Sequence, residues 1–237
     1  MKIAAWSGPR NISTAMMYAF SNRRDCTGVD EPFYAAYLDA TGLEHPMRDA
    51  ILASQPQDPA QVIANLKAPD ASPHVYHKHM AQHMIPQVPR DWFDGFRHLI
   101  LIRHPARVVA SFSAKFDDPT LADIGFTQQA ELFQQLTDDG HEPLVVDSVD
   151  LRRNPEAMLR RICEAFCLSW DSAMLQWEPG PKSVDGVWAS HWYDSAHKST
   201  GFAGPEGNLP VLAGRQADLV AQALPYYERL FDHRLVT

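Results

Sequence analysis

Five short apolar runs recur along the chain, at Ile3 to Trp6, Thr27 to Val29, His74 to His77, His98 to Arg103 and Pro143 to Asp147. Their length suits buried strands. Between them apolar residues return at helical spacing, in helices expected to begin near Ser13, Tyr34, Pro59, Ala106 and Phe126. A further helix is expected from Asn154, as its cap, and Pro155, in its first turn, through Phe166, and an amphipathic helix from Arg215 to Phe231 closes the chain. Strands alternating with helices predict an α/β fold with a central parallel sheet flanked by helices. Residues 177–210 are rich in Gly, Pro, Trp and His and lack periodicity, so they read as a long loop or lid. No internal repeat or linker divides the sequence, and 1–237 is read as a single domain.

Composition narrows the choice. The chain has 237 residues, 45% of them hydrophobic, enough for a substantial core. No apolar stretch is long enough to cross a membrane, and no export signal opens the chain, so a cytoplasmic protein without a membrane partner is expected. The net charge of −8 argues against nonspecific binding to nucleic acid. Basic residues gathered around an anion would be local exceptions to that field. Cys26, Cys163 and Cys167 are odd in number, and the last two are expected as buried thiols on a helix face.

Two strand-to-helix junctions carry candidate chemistry. In "KIAAWSGPRNISTAMMYAF" the first strand runs through Ser7-Gly8-Pro9 into a helix opening on Ser13-Thr14. Unpaired N–H groups and the positive end of the helix dipole make such a loop an anion site. A Walker A loop would need Gly-Lys-Ser/Thr where Ser13, Thr14 and Ala15 stand, so its lysine is missing, and the basic residue is Arg10 inside the loop. In "HLILIRHPARVVASFSAKF" Arg103 ends a strand and Ser111 follows eight residues later, in the helix's second turn. A guanidinium fork and a hydroxyl so placed suit one phosphate monoester.

Together these residues resemble the sulfotransferases that use 3′-phosphoadenosine 5′-phosphosulfate (PAPS). The 5′-phosphosulfate loop of that family is matched by Pro9, Arg10, Asn11, Ile12, Ser13 and Thr14, and its Arg-x-Pro-(x)5-Ser signature for the 3′-phosphate by Arg103, Pro105 and Ser111. Asp30-Glu31-Pro32-Phe33 resembles a Glu-Pro-Phe/Leu element of carbohydrate sulfotransferases, which brings Glu31 and Phe33 to the acceptor. "HKSTGF" is similar in part to the family's C-terminal phosphate-binding element and supplies Lys198, Ser199 and Thr200. The resemblance implies a three-layer P-loop-type fold. It also implies PAPS as donor, 3′,5′-adenosine bisphosphate as product, and no metal. Where the family usually has glycine, Ile12 stands, and a β-branched residue resists positive φ, so the loop is expected to take a different path or to bind more weakly. Segments similar to this family are also found joined to aminotransferase-like domains, but no residue pattern here points to a pyridoxal enzyme.

An acceptor hydroxyl needs a base. "VYHKHMAQHMIPQ" keeps the register of a family Lys-x-His followed by Pro-Gln, which places His79 as catalytic base and His77 where the lysine stood, with Lys78 on the opposite face of the strand. Two other readings of His77, His79 and His83 are metal ligands, which lack an Asp or Glu in the same stretch to complete a catalytic site, and ordinary polar residues at a strand end. Arg10 is the residue for charge developing on the leaving phosphate. Trp188, Trp192 and Tyr193 in the lid suit either an acceptor site or a buried loop anchor. The expected activity is sulfuryl transfer to a hydroxyl or amine of a small-molecule or carbohydrate acceptor. The alternatives are a nucleotide-binding or interaction module on the same fold and a P-loop small-molecule kinase.

Overall fold

The computed structural model describes residues 1–114 and 116–236. Its strands are β1 (Lys2–Ser7), β2 (Cys26–Asp30), β3 (His74–Met80), β4 (Phe96–Ile102) and β5 (Leu144–Asp147). They form one sheet in the order β2-β3-β1-β4-β5, with every pairing parallel. The helices are α1 (Ser13–Ser21), α2 (Tyr34–Thr41), α3 (Arg48–Ser54), α4 (Pro59–Lys67), α5 (Pro105–Ser113), α6 (Leu121–Ile124), α7 (Phe126–Asp138), α8 (Ser148–Arg153), α9 (Pro155–Ala165), α10 (Ala189–Trp192), α11 (Asp194–His197) and α12 (Arg215–Phe231).

Parallel strands buried on both faces need two apolar layers, and alternate side chains of β1 supply them. Ile3 and Ala5 join Met16 and Phe20 of α1, Leu38 of α2 and Ile162 of α9 on one face. Ala4 and Trp6 join Val108 of α5, Leu132 of α7 and Leu219 of α12 on the other. The helices after β1 and β4, two adjacent strands, therefore leave toward opposite faces. That divergence opens a crevice beyond the strands' C-terminal ends, where ligands of open α/β sheets bind.

The expected strands are all present, each with ends moved by a few residues; Arg103 lies just past β4. The cap at Asn154 forms as its sequence implies, its side chain accepting the Ala157 N–H at 3.1 Å. Helices α3, α6 and α8 were not expected; none exceeds seven residues, too short for a clear period. Within 177–210 the chain forms α10 and α11 rather than continuous loop. Cys26 and Cys163 are buried, but Cys167 is exposed, because α9 ends at Ala165 and the chain turns away with Cys167 at a φ of 55°.

Candidate functional site

The turn from β1 into α1 is held from below. Asn11 donates its side-chain N–H to the Leu101 carbonyl of β4 at 2.9 Å, and a Cβ on Gly8 would stand 2.6 Å from the Ile124 carbonyl, so only glycine fits there. Arg10 and Ile12 both take left-handed backbone, with φ of 61° and 55°. Ile12 thus follows the path open to glycine, against the expectation of a different one, at about 1–2 kcal/mol of strain. It also caps α1 without a side-chain hydrogen bond, leaving the helix's first N–H groups open toward the crevice. At α5, by contrast, His104 Nδ1 accepts the Ala106 N–H at 3.2 Å.

A cavity of about 510 Å³ fills the crevice, within the range of small-molecule sites. Pro9, Arg10, Asn11, Ile12, Ser13 and Thr14 line it together with Arg103 and Ser111. Arg10 Nε donates to Ser111 Oγ at 2.8 Å, and an Arg103 N–H donates to the Arg10 carbonyl at 2.8 Å, so the two strand ends meet. Burial and the neighbouring Arg103 charge both lower the Arg10 pKa.

Behind this basic end lies an anion that belongs to the chain. The Glu206 carboxylate, with its side chain 1% exposed, accepts from Arg103 at 2.7 and 2.8 Å, lies 2.8 Å from Arg107 Nε and accepts from Arg152 at 3.0 Å. Arg107 stands four residues after Arg103, on α5, and Arg152 lies on α8 beyond β5, so two strand-to-helix junctions supply three cations to one place. The sequence marked only Arg103. Glu206 sits in an exposed, aperiodic stretch with no pattern to single it out.

The other end of the cavity is aromatic and acidic. Glu31, itself at a φ of 42°, lines it with Tyr34, Tyr37, Lys78, His83 and Trp192. Lys78 is buried and donates to Asp30 Oδ1 at 2.9 Å, to Glu31 Oε1 and to the Tyr193 hydroxyl at 2.8 Å. Burial would discharge the ammonium, but the two carboxylates prevail and raise its pKa. The Glu31 pKa is raised by burial against the pull of Lys78. His83 stacks between Tyr34 and Tyr37, at ring distances of 4.6 and 4.7 Å, with Nε2 4.0 Å from Glu31 Oε2. Burial and the Lys78 charge depress its pKa well below the usual histidine value, so the ring is neutral at pH 7.

The expected base is elsewhere. His77 and His79 pair in register with Ala4 and Trp6, while Lys78 pairs with Ala5. Side chains alternate along a strand, so both histidines face the layer of Trp6 and only Lys78 faces the cavity. His79 is buried, stacks on Trp6 at 4.4 Å, and does not line the cavity. The residue expected as base thus lies apart from the cavity that Arg10, Arg103 and Ser111 line. Phe33 packs beside it against Trp92, and Trp188 anchors the lid in the core with its indole N–H on the Tyr193 hydroxyl at 3.2 Å; neither lines the cavity. Lys198 and Thr200 are exposed and away from it. Ser199 does line it, with its hydroxyl donating to Ala196 O at 2.6 Å and accepting from Trp177 at 3.1 Å. Among the described residues, no group of three His, Cys, Asp or Glu is placed to hold a metal, and no helix is long and apolar enough to cross a membrane.

Comparison with known proteins agrees with this architecture. Two curated proteins of Arabidopsis thaliana, branched-chain-amino-acid aminotransferase-like proteins 2 and 1, are each 34% identical over 232 residues, covering 98% of this chain but only 41% and 42% of their own lengths. Among solved structures, the sulfotransferase from Alicyclobacillus acidocaldarius superposes with a TM-score of 0.58 at 14% identity, covering 100% of this chain and 97% of that one. The sulfotransferase domain of the Synechococcus PCC 7002 olefin synthase gives 0.56 at 19% identity over 94% of both chains. These two likenesses show the fold. The sulfotransferase domain family model matches residues 1–233, nearly the whole chain, and the protein belongs to that family.

Proposed function

We propose that residues 1–237 act as one catalytic unit that moves a sulfuryl group from PAPS to a hydroxyl or amine of a small-molecule or carbohydrate acceptor. One observation carries the reading. Two basic anion sites meet at adjacent strand ends, and the arginines of the second already donate to a carboxylate, as they would to a phosphate monoester. The residues therefore fit a donor with phosphates at both ends of its ribose. PAPS, when bound, supplies an activated sulfuryl group on a phosphate leaving group. Arg10 and the open N–H groups of α1 hold the phosphosulfate end, and Arg103 with Ser111 selects the 3′-phosphate.

His83 takes the acceptor proton in this reading, in place of His79. Its ring is neutral, Nδ1 has no hydrogen-bond partner among the described residues, and the Glu31 carboxylate beside Nε2 stabilises the imidazolium once formed. The acceptor oxygen or nitrogen forms the new bond to sulfur as the bridging S–O bond breaks, and the electron pair leaves on the bisphosphate, where Arg10 meets the growing charge. Tyr34, Tyr37 and Trp192 give the acceptor flat apolar walls.

3′,5′-Adenosine bisphosphate tests the donor without knowledge of the acceptor. At about 100 times its Kd it should stabilise the fold by roughly 2.7 kcal/mol, a melting shift of about 5–11 °C for a domain of this size. ATP and 5′-AMP should shift it much less. An unchanged melting temperature with the bisphosphate, or preference for ATP with Mg²⁺, would end the reading; binding without turnover across a broad acceptor panel would favour the binding module.

A further inference from the structure

The arginine cluster around Glu206 is built for an anion, yet the anion it holds is tethered to a segment that little else secures. Residues Ala203, Gly204, Pro205, Gly207, Asn208 and Leu209 are all exposed, while the Glu206 side chain between them is fully buried. Hydrogen bonds from this strap run to the same cluster. Arg152 donates to the Gly204 carbonyl at 2.9 Å, Arg107 donates to the Gly207 carbonyl, and Ser148 Oγ stands 3.5 Å from Glu206 Oε2. The strap is thus fastened through the residues that form the anion site. Arg103 and Arg152 line the cavity as well, so the carboxylate and a cavity ligand share two of their three cations.

Two further features set the fastening apart from ordinary packing. Three guanidinium groups face one carboxylate, and a phosphate monoester at neutral pH carries about −1.5 to −2 charge with three acceptor oxygens, against −1 and two for Glu206. The cluster is therefore under-neutralised as it stands. Gly204 and Gly207 flank the glutamate, yet a Cβ at either would meet open space and neither has positive φ. The observed conformation needs no glycine at either place.

We infer that Glu206 is an internal stand-in for the donor's 3′-phosphate: it closes the Arg103–Arg107–Arg152 cluster in the resting protein, and a phosphate monoester on the incoming nucleotide displaces it and releases the strap. The inference rests on the PAPS reading of the cavity. Exchange of carboxylate for phosphate makes the site selective twice over. A nucleotide lacking the 3′-phosphate has nothing with which to replace Glu206 and meets a closed strap, whereas the correct ligand both fills the cluster and opens it. Glu206 is thereby a specificity-determining residue that touches the ligand's site only in the ligand's absence.

The test measures binding by calorimetry for the unaltered protein and Glu206→Gln, without metal, using 3′-AMP, 5′-AMP and 3′,5′-adenosine bisphosphate. The neutral amide keeps the shape and removes the competing charge. Kd for 3′-AMP and for the bisphosphate should fall about tenfold or more in E206Q, and Kd for 5′-AMP should stay within about twofold. Hydrogen exchange on the unaltered protein supplies a second readout: the bisphosphate should slow exchange at residues 9–15 and speed it at 203–209. If the unaltered protein binds the bisphosphate but E206Q binds it no tighter, or the strap becomes more protected, displacement is overturned while the donor reading stands. If neither protein binds the bisphosphate, both readings fall together. Should E206Q fail to fold, the exchange result on the unaltered protein decides alone.

Discussion

The two faces of β3 hold similar residues and do opposite things. Toward the cavity, Lys78 meets Asp30, Glu31 and Tyr193, every contact a hydrogen bond to a group that is charged or polar. Toward the other layer, His77 and His79 sit among Trp6, Trp92 and Phe96, where His77 Nδ1 lies 3.3 Å from the Ile3 carbonyl and neither nitrogen of His79 has a hydrogen-bond partner among the described residues. One face is wired and the other is packed. Ionisable character therefore says little about role; the polar environment that can answer a charge decides it. The same test separates His83, beside Glu31 and open to the cavity, from His79 only four residues earlier.

The largest expected effect falls on the wired face. Lys78→Met keeps volume but leaves two buried carboxylates facing each other, and breaking a buried network in this way costs about 3–5 kcal/mol. Urea unfolding should show that loss; a change under about 1 kcal/mol would mean that Lys78 is not the network's counter-charge. Next comes chemistry. His83→Gln and Arg10→Ala should each lower kcat by on the order of 10²-fold or more while changing donor binding in different ways, since only Arg10 holds the donor. A fully active His83→Gln would return the base to another group.

Much of the scaffold is legible from pattern. Runs such as Leu99 to Ile102 are apolar because a parallel strand is covered on both sides, and the Arg103-to-Ser111 spacing at one strand exit carries the second anion loop in eight residues. The same double burial hides the face assignment at β3, since His77, Lys78 and His79 are all buried and alternation alone cannot say which face the cavity occupies. Ile12 shows another limit: a residue's usual backbone preference was overridden by a loop pinned through Asn11 and Gly8. Arg107, Arg152 and Glu206 converge from three separate segments, and convergence of that kind leaves no trace in local spacing.

Acid should expose the packed face first. Burial lowers the pKa of His77 to about 4, with the Ile3 carbonyl pulling the other way, and lowers that of His98 to about 4 as well. A histidine depressed in the folded state binds protons more readily when unfolded. Its stabilising contribution is complete above the unfolded value near 6.5 and drains away as pH falls below it. From His77 alone the loss between pH 7 and pH 5 is about 2 kcal/mol. Stability measured across that range should decline steadily, and a flat profile would show that these rings are protonated or solvated in the native protein.

The smallest effect is the sharpest for the comparison. His79→Phe replaces one ring by another of similar shape, keeps the stack on Trp6, and removes two ring nitrogens that no group answers. Removing unanswered buried polar atoms is near neutral or stabilising, and overpacking by a slightly larger ring offsets it, so the net change should stay within about 1.5 kcal/mol. The variant should also lose part of the decline in acid, because burial holds the His79 pKa well below its ordinary value and phenylalanine has no proton to take up. Turnover should be unaltered. A dead His79→Phe that still folds and binds the bisphosphate would mean that His79 reaches the acceptor in a conformation unlike this one, and the division of β3 into a wired and a packed face would fail.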